Sequence, residues 1–550
     1  MRKTHLGGLA ALLTAVLLAA CATPRPSDPV KVRVLAINDF HGNLRPAPGG
    51  VRTLDPAQPG QMVSVPAGGA EHLATAVAEL RAAHPNHVFV AAGDLIGATP
   101  LLSALFRDEP TIESMNLMGL EASAVGNHEF DKGADELLRL QRGGCHPSEG
   151  CKGPTSFKGA SFQYLAASTV VRNTGQTLLP AYHVKRFQGI PVAFIGLTLE
   201  GTPRIVVPAG VAGLTFRDEA ETVNELVPVL RRQGIEAIVL LIHEGGVPSG
   251  GHNECPGISG PIVDIVKRLD KAVDLVVSGH THRAYNCRID GRLVTSGDKY
   301  GTIVTAIDLV LDPKSGDVAS AVADNVIVRP TFAKDPRQTQ LIETYERLAA
   351  PLARRVVGRI GAALPRDTNA AGASPLGQVV ADAQLAATRD AGAQIAFMNP
   401  GGIRAALALP ADGQLRYEDL FTVQPFYNNL VTLTLTGGQV LELLEQQWQQ
   451  PSPRILHVSQ GFAYTWDATR PVGQRVVPGS VRLHGQPLDP AAPYRVTVNS
   501  YLAGGGDNFV LLKQGRDART GLMDVDALEL FVKNNPLLVP GPLDRISRLN

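Results

Sequence analysis

The stretch Gly126-Asn127-His128-Glu129-Phe130-Asp131 decides how this chain is read. It follows a short apolar run, Ala122-Ser-Ala-Val125, which reads as a buried strand. An amide and an imidazole directly off a strand end, with a carboxylate three residues later, suit phosphoryl chemistry. The Asn127 carbonyl oxygen can bind a hard divalent cation, and His128 can face a leaving oxygen. Asp131 can then hold that imidazole in one tautomer. The competing reading is a polar turn and a capped helix, since Asn and Asp favour both positions. The rest of the chain decides between them.

Working outward, each further apolar run delivers polar residues at its end. The strand at 30–37 leads to Asp39 and His41, and the run 87–92 leads to Gly93-Asp94. The run 235–242 ends at His243, and 273–277 ends in Gly279-His280-Thr281-His282. Leu73, Val77 and Leu80 mark one face of a helix, 219–230 is helical in pattern, and further apolar runs lie at 162–167 and 192–197. Strands alternating with helices predict an α/β domain with a largely buried sheet, whose loops at the strand ends are where such folds place ligands. The Gly/Pro-rich stretch 46–69 reads as a loop.

Asp39, His41, Asp94, Asn127, His243, His280 and His282 make two carboxylates, one amide and four imidazoles. Mixed N/O donors without thiolate suit Mn, Zn, Co or Fe, and seven exceed what one tetrahedral ion needs. Two ions bridged by one Asp are the natural count. A single such histidine is more often a core or loop residue; seven donors arriving at five strand ends are hard to explain by chance.

At 550 residues the chain can form two or three domains. Lys plus Arg (51) equals Asp plus Glu (51), so no global field argues for a nucleic-acid polymer or an anionic membrane surface. Arg2 and Lys3 precede an apolar run over 6–20, too short for a comfortable span and suited to a signal peptide over 1–20. Its end, Leu18-Ala-Ala-Cys21, resembles a bacterial lipobox with Cys21 lipidated and 21–29 a tether. An ordinary cleaved signal with a chance Cys is the alternative. The absence of Asp after Cys21 favours, by resemblance to lipoproteins, the periplasmic face of the outer membrane. Cys145, Cys151, Cys255 and Cys287 suggest two disulfides in an exported chain, with three possible connectivities. Cys145–Cys151 would close a small Gly-rich loop, and Cys255–Cys287 would flank a His-rich segment. This pairing is favoured over cysteine metal ligation, since no CxxC spacing occurs.

Past Pro330 the texture changes. Leu341, Tyr345, Leu348, Leu352 and Val356 predict a connecting helix over 335–357, and 358–550 reads as a second α/β region with strands at 431–435 and 494–498.

Asp-Phe-His (39–41), Gly-Asp (93–94), Gly-Asn-His-Glu (126–129), His243 and Gly-His-Thr-His (279–282) resemble the calcineurin-like metallophosphoesterases. Their order and the second domain resemble the bacterial 5′-nucleotidase/UDP-sugar hydrolase family. The resemblance implies a layered α/β/β/α catalytic domain over 30–330, joined by the helix to a nucleotide-binding domain. It implies one ion on Asp39, His41, Asp94 and His282, another on Asp94, Asn127, His243 and His280, and His128 as transition-state partner oriented by Asp131. Independently of the family, two such ions would neutralise phosphate charge and activate a water for in-line attack.

In the second domain Asn399-Pro-Gly-Gly-Ile-Arg404 presents an amide and a guanidinium fork for phosphate. Val423-Gln-Pro-Phe426 and Ser500-Tyr501-Leu-Ala-Gly-Gly-Gly-Asp507 resemble the family's base-binding segments, with Phe426 and Tyr501 as the clamp. Asp507 and Asn399 would take the ribose hydroxyls. Core packing is the bland alternative for each aromatic. There is a departure: relatives carry an arginine where this chain reads Ala370-Ala-Gly372-Ala-Ser-Pro-Leu-Gly377. Whether Arg366, further upstream, replaces it is left open. The expected protein is a monomeric, lipid-anchored hydrolase of nucleotides or nucleoside-diphosphate sugars. A 2′,3′-cyclic phosphodiesterase/3′-nucleotidase is the alternative among enzymes, and a catalytically silent nucleotide-binding lipoprotein the alternative of another class.

Overall fold

The computed structural model describes residues 27–550 except 56, 59 and 450–452. The expected signal peptide, Cys21 and most of the tether lie outside the described residues. Among those described, no helix is long and apolar enough to cross a membrane.

The catalytic domain is built on twelve strands. They are β1 (Val30–Ile37), β2 (His87–Ala91), β3 (Ala122–Ala124), β4 (Gln163–Leu165), β5 (Tyr182–Phe187) and β6 (Ile190–Thr198). They continue with β7 (Ala237–His243), β8 (Leu275–Ser278), β9 (Ala284–Ile289), β10 (Arg292–Gly297), β11 (Ile303–Leu311) and β12 (Val318–Ile327). One sheet runs β12-β11-β1-β2-β3-β4 and the other β9-β10-β8-β7-β6-β5. β1 to β4 pair in parallel, as do β6, β7, β8 and β10.

The apolar runs follow from burial on both faces. In β1, Val34 and Ala36 face the second sheet. Leu35 and Ile37 face the helices α1 (Ala70–Ala82), α2 (Glu109–Met118) and α3 (Ala134–Arg142). In β7, Val239 and Leu241 meet the first sheet, while Ile238, Leu240 and Ile242 meet α4 (Glu219–Arg232) and α5 (Pro261–Arg268). Alternation with period two on a sheet covered on both sides gives continuous hydrophobicity and an α/β/β/α sandwich. The sheets approach closely where Gly196 of β6 faces Leu165 of β4.

The stretch expected to be a loop at 46–69 contains a hairpin, Val51–Leu54 paired with Met62–Val65. Its short alternation, with Val51 and Thr53 buried, was hidden among Pro and Gly. Cys145 is bonded to Cys151, and Cys255 to Cys287.

The connecting helix, α6, runs Pro336–Ala353, capped by Asp335, whose side chain accepts from the amides of Arg337 and Gln338. Its buried face is Gln338, Ile342, Tyr345, Ala349 and Ala353. This corrects the expected stripe. Leu348 and Val356 are exposed, and Val356 opens a short strand, Val356–Arg359. Small Ala349 and Ala353 allow close approach to the catalytic domain, so packing rather than hydrophobicity selects the inward face. Tyr345 stacks edge-on against Phe106, and Ser114 donates to Gln338 Oε1 (2.8 Å).

The second domain folds around β13 (Ile395–Met398), β14 (Asn429–Thr436), β15 (His457–Val458), β16 (Pro493–Asn499) and β17 (Arg516–Met523), ordered β15-β13-β16-β14-β17. Helices α7 (Pro375–Ala387) and α8 (Asp524–Asn534) pack on one face. Ser374 caps α7 through the Gly377 amide, with Pro375 at the first turn where its missing N–H is harmless.

A Cβ on Gly196 would lie 2.3 Å from the Leu165 Cβ. Gly196→Ala is therefore expected to lose about 1–3 kcal/mol by overpacking the two sheets. Urea denaturation of the variant checks this; unchanged stability would show that the sheets are free to separate.

Candidate metal centre and interdomain cleft

The carboxyl ends of β1, β2, β3, β7 and β8 converge on one edge of the sandwich. All seven donor residues meet there, five of them buried and His280 and His282 partly so. Three overlapping groups have ligand atoms within 4.8 Å of one another: Asp39/His41/His282, His41/Asp94/His128 and Asp94/His243/His280. Asp94 Oδ2 lies 3.6 Å from His41 Nε2 and 2.9 Å from His243 Nε2, between the two sets. His282 Nε2 lies 3.3 Å from Asp39 Oδ1, and His280 Nδ1 lies 3.1 Å from Asn127 Oδ1.

The outer shell orients these donors. His41 Nδ1 donates to the Gly97 carbonyl (2.8 Å) and His243 Nδ1 to the Ala92 carbonyl (2.7 Å), so each Nε2 points into the site. Asn38 ties its own loop to the one after β10: its amide donates to Asp39 Oδ2 and the Asp298 carbonyl, and its oxygen accepts from Gly297 N. Glu129, a motif residue to which no role was assigned, accepts from the amides of Asp94 (3.0 Å), Leu95 (2.8 Å) and Gly126 (2.8 Å). The two loops meet so closely that a Cβ on Gly126 would stand 2.2 Å from Asp94 Oδ1. Asp39, His41, Asp94, His280 and His282 all have positive φ. That conformation is costly for non-glycine residues and concentrates at functional sites.

Electrostatics favour a cation. Burial pushes His280 and His282 down to about 4, so both are neutral at physiological pH, the form a metal ion would need. Burial would also lower His243, yet the Asp94 and Asp39 carboxylates raise it to about 10. Its buried Nε2 makes no aligned hydrogen bond although Asp94 is near. Two buried carboxylates, neutral imidazoles and an orphaned inward nitrogen fit divalent ions well.

His128 Nδ1 donates to Asp131 Oδ2 (2.8 Å). Burial opposes protonation of His128, but Asp131 and Asp94 raise its pKa overall.

The second domain closes over this edge. A cavity of about 220 Å³ joins Asn127, His128 and His280 to Asn399, Arg404, Phe426, Tyr501 and Asp507. Arg404 has buried Nε and Nη2 atoms without partners, and its guanidinium lies 5.7 Å from the Tyr300 ring. Arg366 donates through Nη1 to the Arg404 backbone carbonyl, which brings a second positive charge to this loop. Phe426 stacks on His128 at 6.2 Å and 24°. Asn399 Nδ2 donates to Asp507 Oδ2 (2.8 Å) and Tyr501 Oη to Asp507 Oδ1 (2.9 Å), leaving outward lone pairs on the carboxylate.

Sequence reasoning missed Arg454 and the wall Ile205–Val207, which also line the cleft, and Tyr300, which packs against Arg404, His41 and His282. Only Tyr300 carried a signal, since it follows the β10 strand end. Ile205–Val207 and Arg454 lie in irregular segments with no motif.

The chain matches the calcineurin-like phosphoesterase family over residues 32–284 and the 5′-nucleotidase C-terminal domain family over residues 356–514. It belongs to the metallophosphoesterases that carry a 5′-nucleotidase C-terminal domain. Endonuclease YhcR of Bacillus subtilis (strain 168) is 32% identical over 92% of this chain, which spans 40% of that relative's length. Cell wall protein Lmo0130 of Listeria monocytogenes is 31% identical over 89% of this chain, which spans 65% of its length. The solved 5′-nucleotidase precursor from Thermus thermophilus aligns with a TM-score of 0.75 at 28% identity, over 94% of this chain and 99% of that one.

Glu129→Gln replaces one acceptor oxygen by a donor that faces a buried amide. It is expected to weaken metal binding about 10–100-fold. Titrating chelated, folded protein with Mn measures this; unaltered affinity would remove Glu129 from the support of the site.

Proposed function

We propose that the protein is a metal-dependent hydrolase of nucleotide phosphate esters, a 5′-nucleotidase. The observation that carries this reading is the cavity that joins His128 and the metal-type donors Asn127 and His280 to Arg404 and the two aromatic residues. The family membership and the 5′-nucleotidase precursor of similar structure support it.

Asp39, His41, Asp94 and His282 would hold one divalent ion, and Asp94, Asn127, His243 and His280 a second, with Asp94 shared. Mn, Zn, Co or Fe suits these donors. Such ions supply charge neutralisation and water activation when bound. Arg404 offers its unpartnered N–H groups to the phosphoryl oxygens, with Arg366 adding positive charge where the relatives' arginine is lacking. His128, its Nδ1–H held by Asp131, presents Nε2 to the leaving oxygen and gives it a proton. Phe426 and Tyr501 stack the base, and Asp507 and Asn399 hold the ribose. Diphosphatase activity on nucleoside-diphosphate sugars belongs to the same proposal, since it would use the same donors and the same phosphate-binding arginine.

The protein would act outside the cytoplasm as a monomer, anchored through a lipid on Cys21 to the outer membrane. The name of the Listeria relative, a cell wall protein, supports an extracytoplasmic site. The Bacillus relative's name, endonuclease, gives weight to a second reading in which diesters such as 2′,3′-cyclic nucleotides are opened.

Phosphate release from AMP, UDP-glucose and 2′,3′-cyclic AMP, with and without chelator, separates these readings. Chelator-sensitive release from AMP is expected, and His128→Ala should lower kcat about 10²–10⁴-fold while metal content is kept. Preferred opening of the cyclic diester would favour the second reading, and silence on every substrate from folded, metal-supplied protein would favour a binding protein. Phe426→Ala should raise KM for AMP at least about fivefold, from stacking of about 1–3 kcal/mol, and affect p-nitrophenyl phosphate less. Equal effects on both substrates would remove Phe426 from base recognition.

A further inference from the structure

The base end of the cavity contains one charged side chain that the reading above does not use. Arg454 lines it together with Phe426, Tyr501 and Asn428. Its backbone is fixed by donation from Arg454 N to the Gln447 carbonyl (2.8 Å), while the exposed side chain has no ion-pair partner among the described residues. The other polar groups nearby are occupied. Asn428 Oδ1 accepts from Ser500 Oγ (3.1 Å), Asn499 Nδ2 donates to Asn399 Oδ1 (2.9 Å), and Asp507 is engaged by Asn399 and Tyr501. The wall from the catalytic domain is apolar, formed by Ile205, Val206 and Val207.

The two arginines of the cavity serve different ends. Arg404 lies over the Tyr300 ring, which packs edge-on against His41 and His282, so it stands at the metal edge. Arg454 lines the cavity with Phe426 and Tyr501, the residues of the clamp. A base stacked between Phe426 and Tyr501 keeps its faces covered and can be told apart only at its edge. Guanidinium has donors and no acceptor, in a planar fork. It complements an edge with two adjacent acceptors, the N7 and O6 of a 6-oxopurine, and meets a donor in the amino group of adenine.

We propose that Arg454 reads the edge of the stacked base and makes the protein selective for 6-oxopurine nucleotides over adenine nucleotides. The proposal rests on the nucleotidase reading for its substrate class. Its test is the ratio of kcat/KM for IMP and GMP to that for AMP, measured on the full-length, metal-loaded protein. In the wild type the ratio should be about ten or more. Arg454→Ala should bring it to within threefold of one. Arg454→Gln should bring it to one or below, since a Gln amide pairs with the N6/N7 edge of adenine. Arg454→Lys keeps the charge without the fork and should fall between wild type and Arg454→Ala. A wild-type ratio within threefold of one, or a ratio that survives in Arg454→Ala, overturns the proposal.

Failure of the nucleotidase reading looks different: p-nitrophenyl phosphate is turned over and none of the nucleotides is. In that event inosine and adenosine are compared as competitive inhibitors of p-nitrophenyl phosphate hydrolysis. Tighter inhibition by inosine, lost in Arg454→Ala, sustains the assignment of Arg454; equal inhibition ends it.

Discussion

The catalytic edge depends on one carboxylate held by three backbone amides. Glu129 accepts from Asp94, Leu95 and Gly126, and so joins the loop after β2 to the loop after β3. Asp94 Oδ1 in turn accepts from the His128 amide (2.9 Å). Asp94 and His128 take their positions from that knot. It also explains why glycine stands at Gly93 and Gly126: any side chain there would separate the two loops. Burial and the Asp94 charge push Glu129 up to about 8, against the amides that stabilise its anion. Close packing of carboxylates is thus accepted for the sake of geometry.

That crowding sets the character of the site. Two buried carboxylates and four imidazoles occupy a pocket too dry to screen them, and the surrounding loops adopt left-handed backbone to bring them together. Strain and like-charge proximity both cost stability, and the buried two-sheet core beneath supplies it. The second domain adds a positive counterpart in Arg404 and Arg366, neither of which has a carboxylate partner among the described residues. Opposed charges meet only in the cleft, where an anionic substrate would complete the balance.

Helix α6 sets how the two domains meet. Arg45 links Glu71 of α1 (2.7 Å) to Glu346 of α6 (2.8 Å), fastening the helix to the catalytic domain before the chain enters the second. Across the cleft Phe426 stacks on His128, Arg404 lies over Tyr300, and Tyr501 Oη donates to the Arg204 carbonyl (3.2 Å). Leu101 and Ala104 join the apolar core of the second domain, so the two domains also share buried surface beside the cleft.

Much of this was legible in the chain itself. The run at 30–37, alternating and then apolar, and the largely apolar run at 235–242 pointed to buried strands, and the polar residues after them marked the edge where donors gather. The Asn-His-Glu stretch identified the chemistry because those donor types have few other uses together. The inward face of α6 was not legible, since Leu348 and Val356 obey the same helical spacing as the small residues that pack. Nor were the role of Glu129, the pairing of Arg366 with Arg404, or the approach of Arg454 and Ile205–Val207 to the cleft. Sequence by itself determined which elements form and which donors end them, because periodicity and residue chemistry are local. Only the tertiary structure decided which side chains converge, because convergence depends on how separate sheets, loops and domains pack in space.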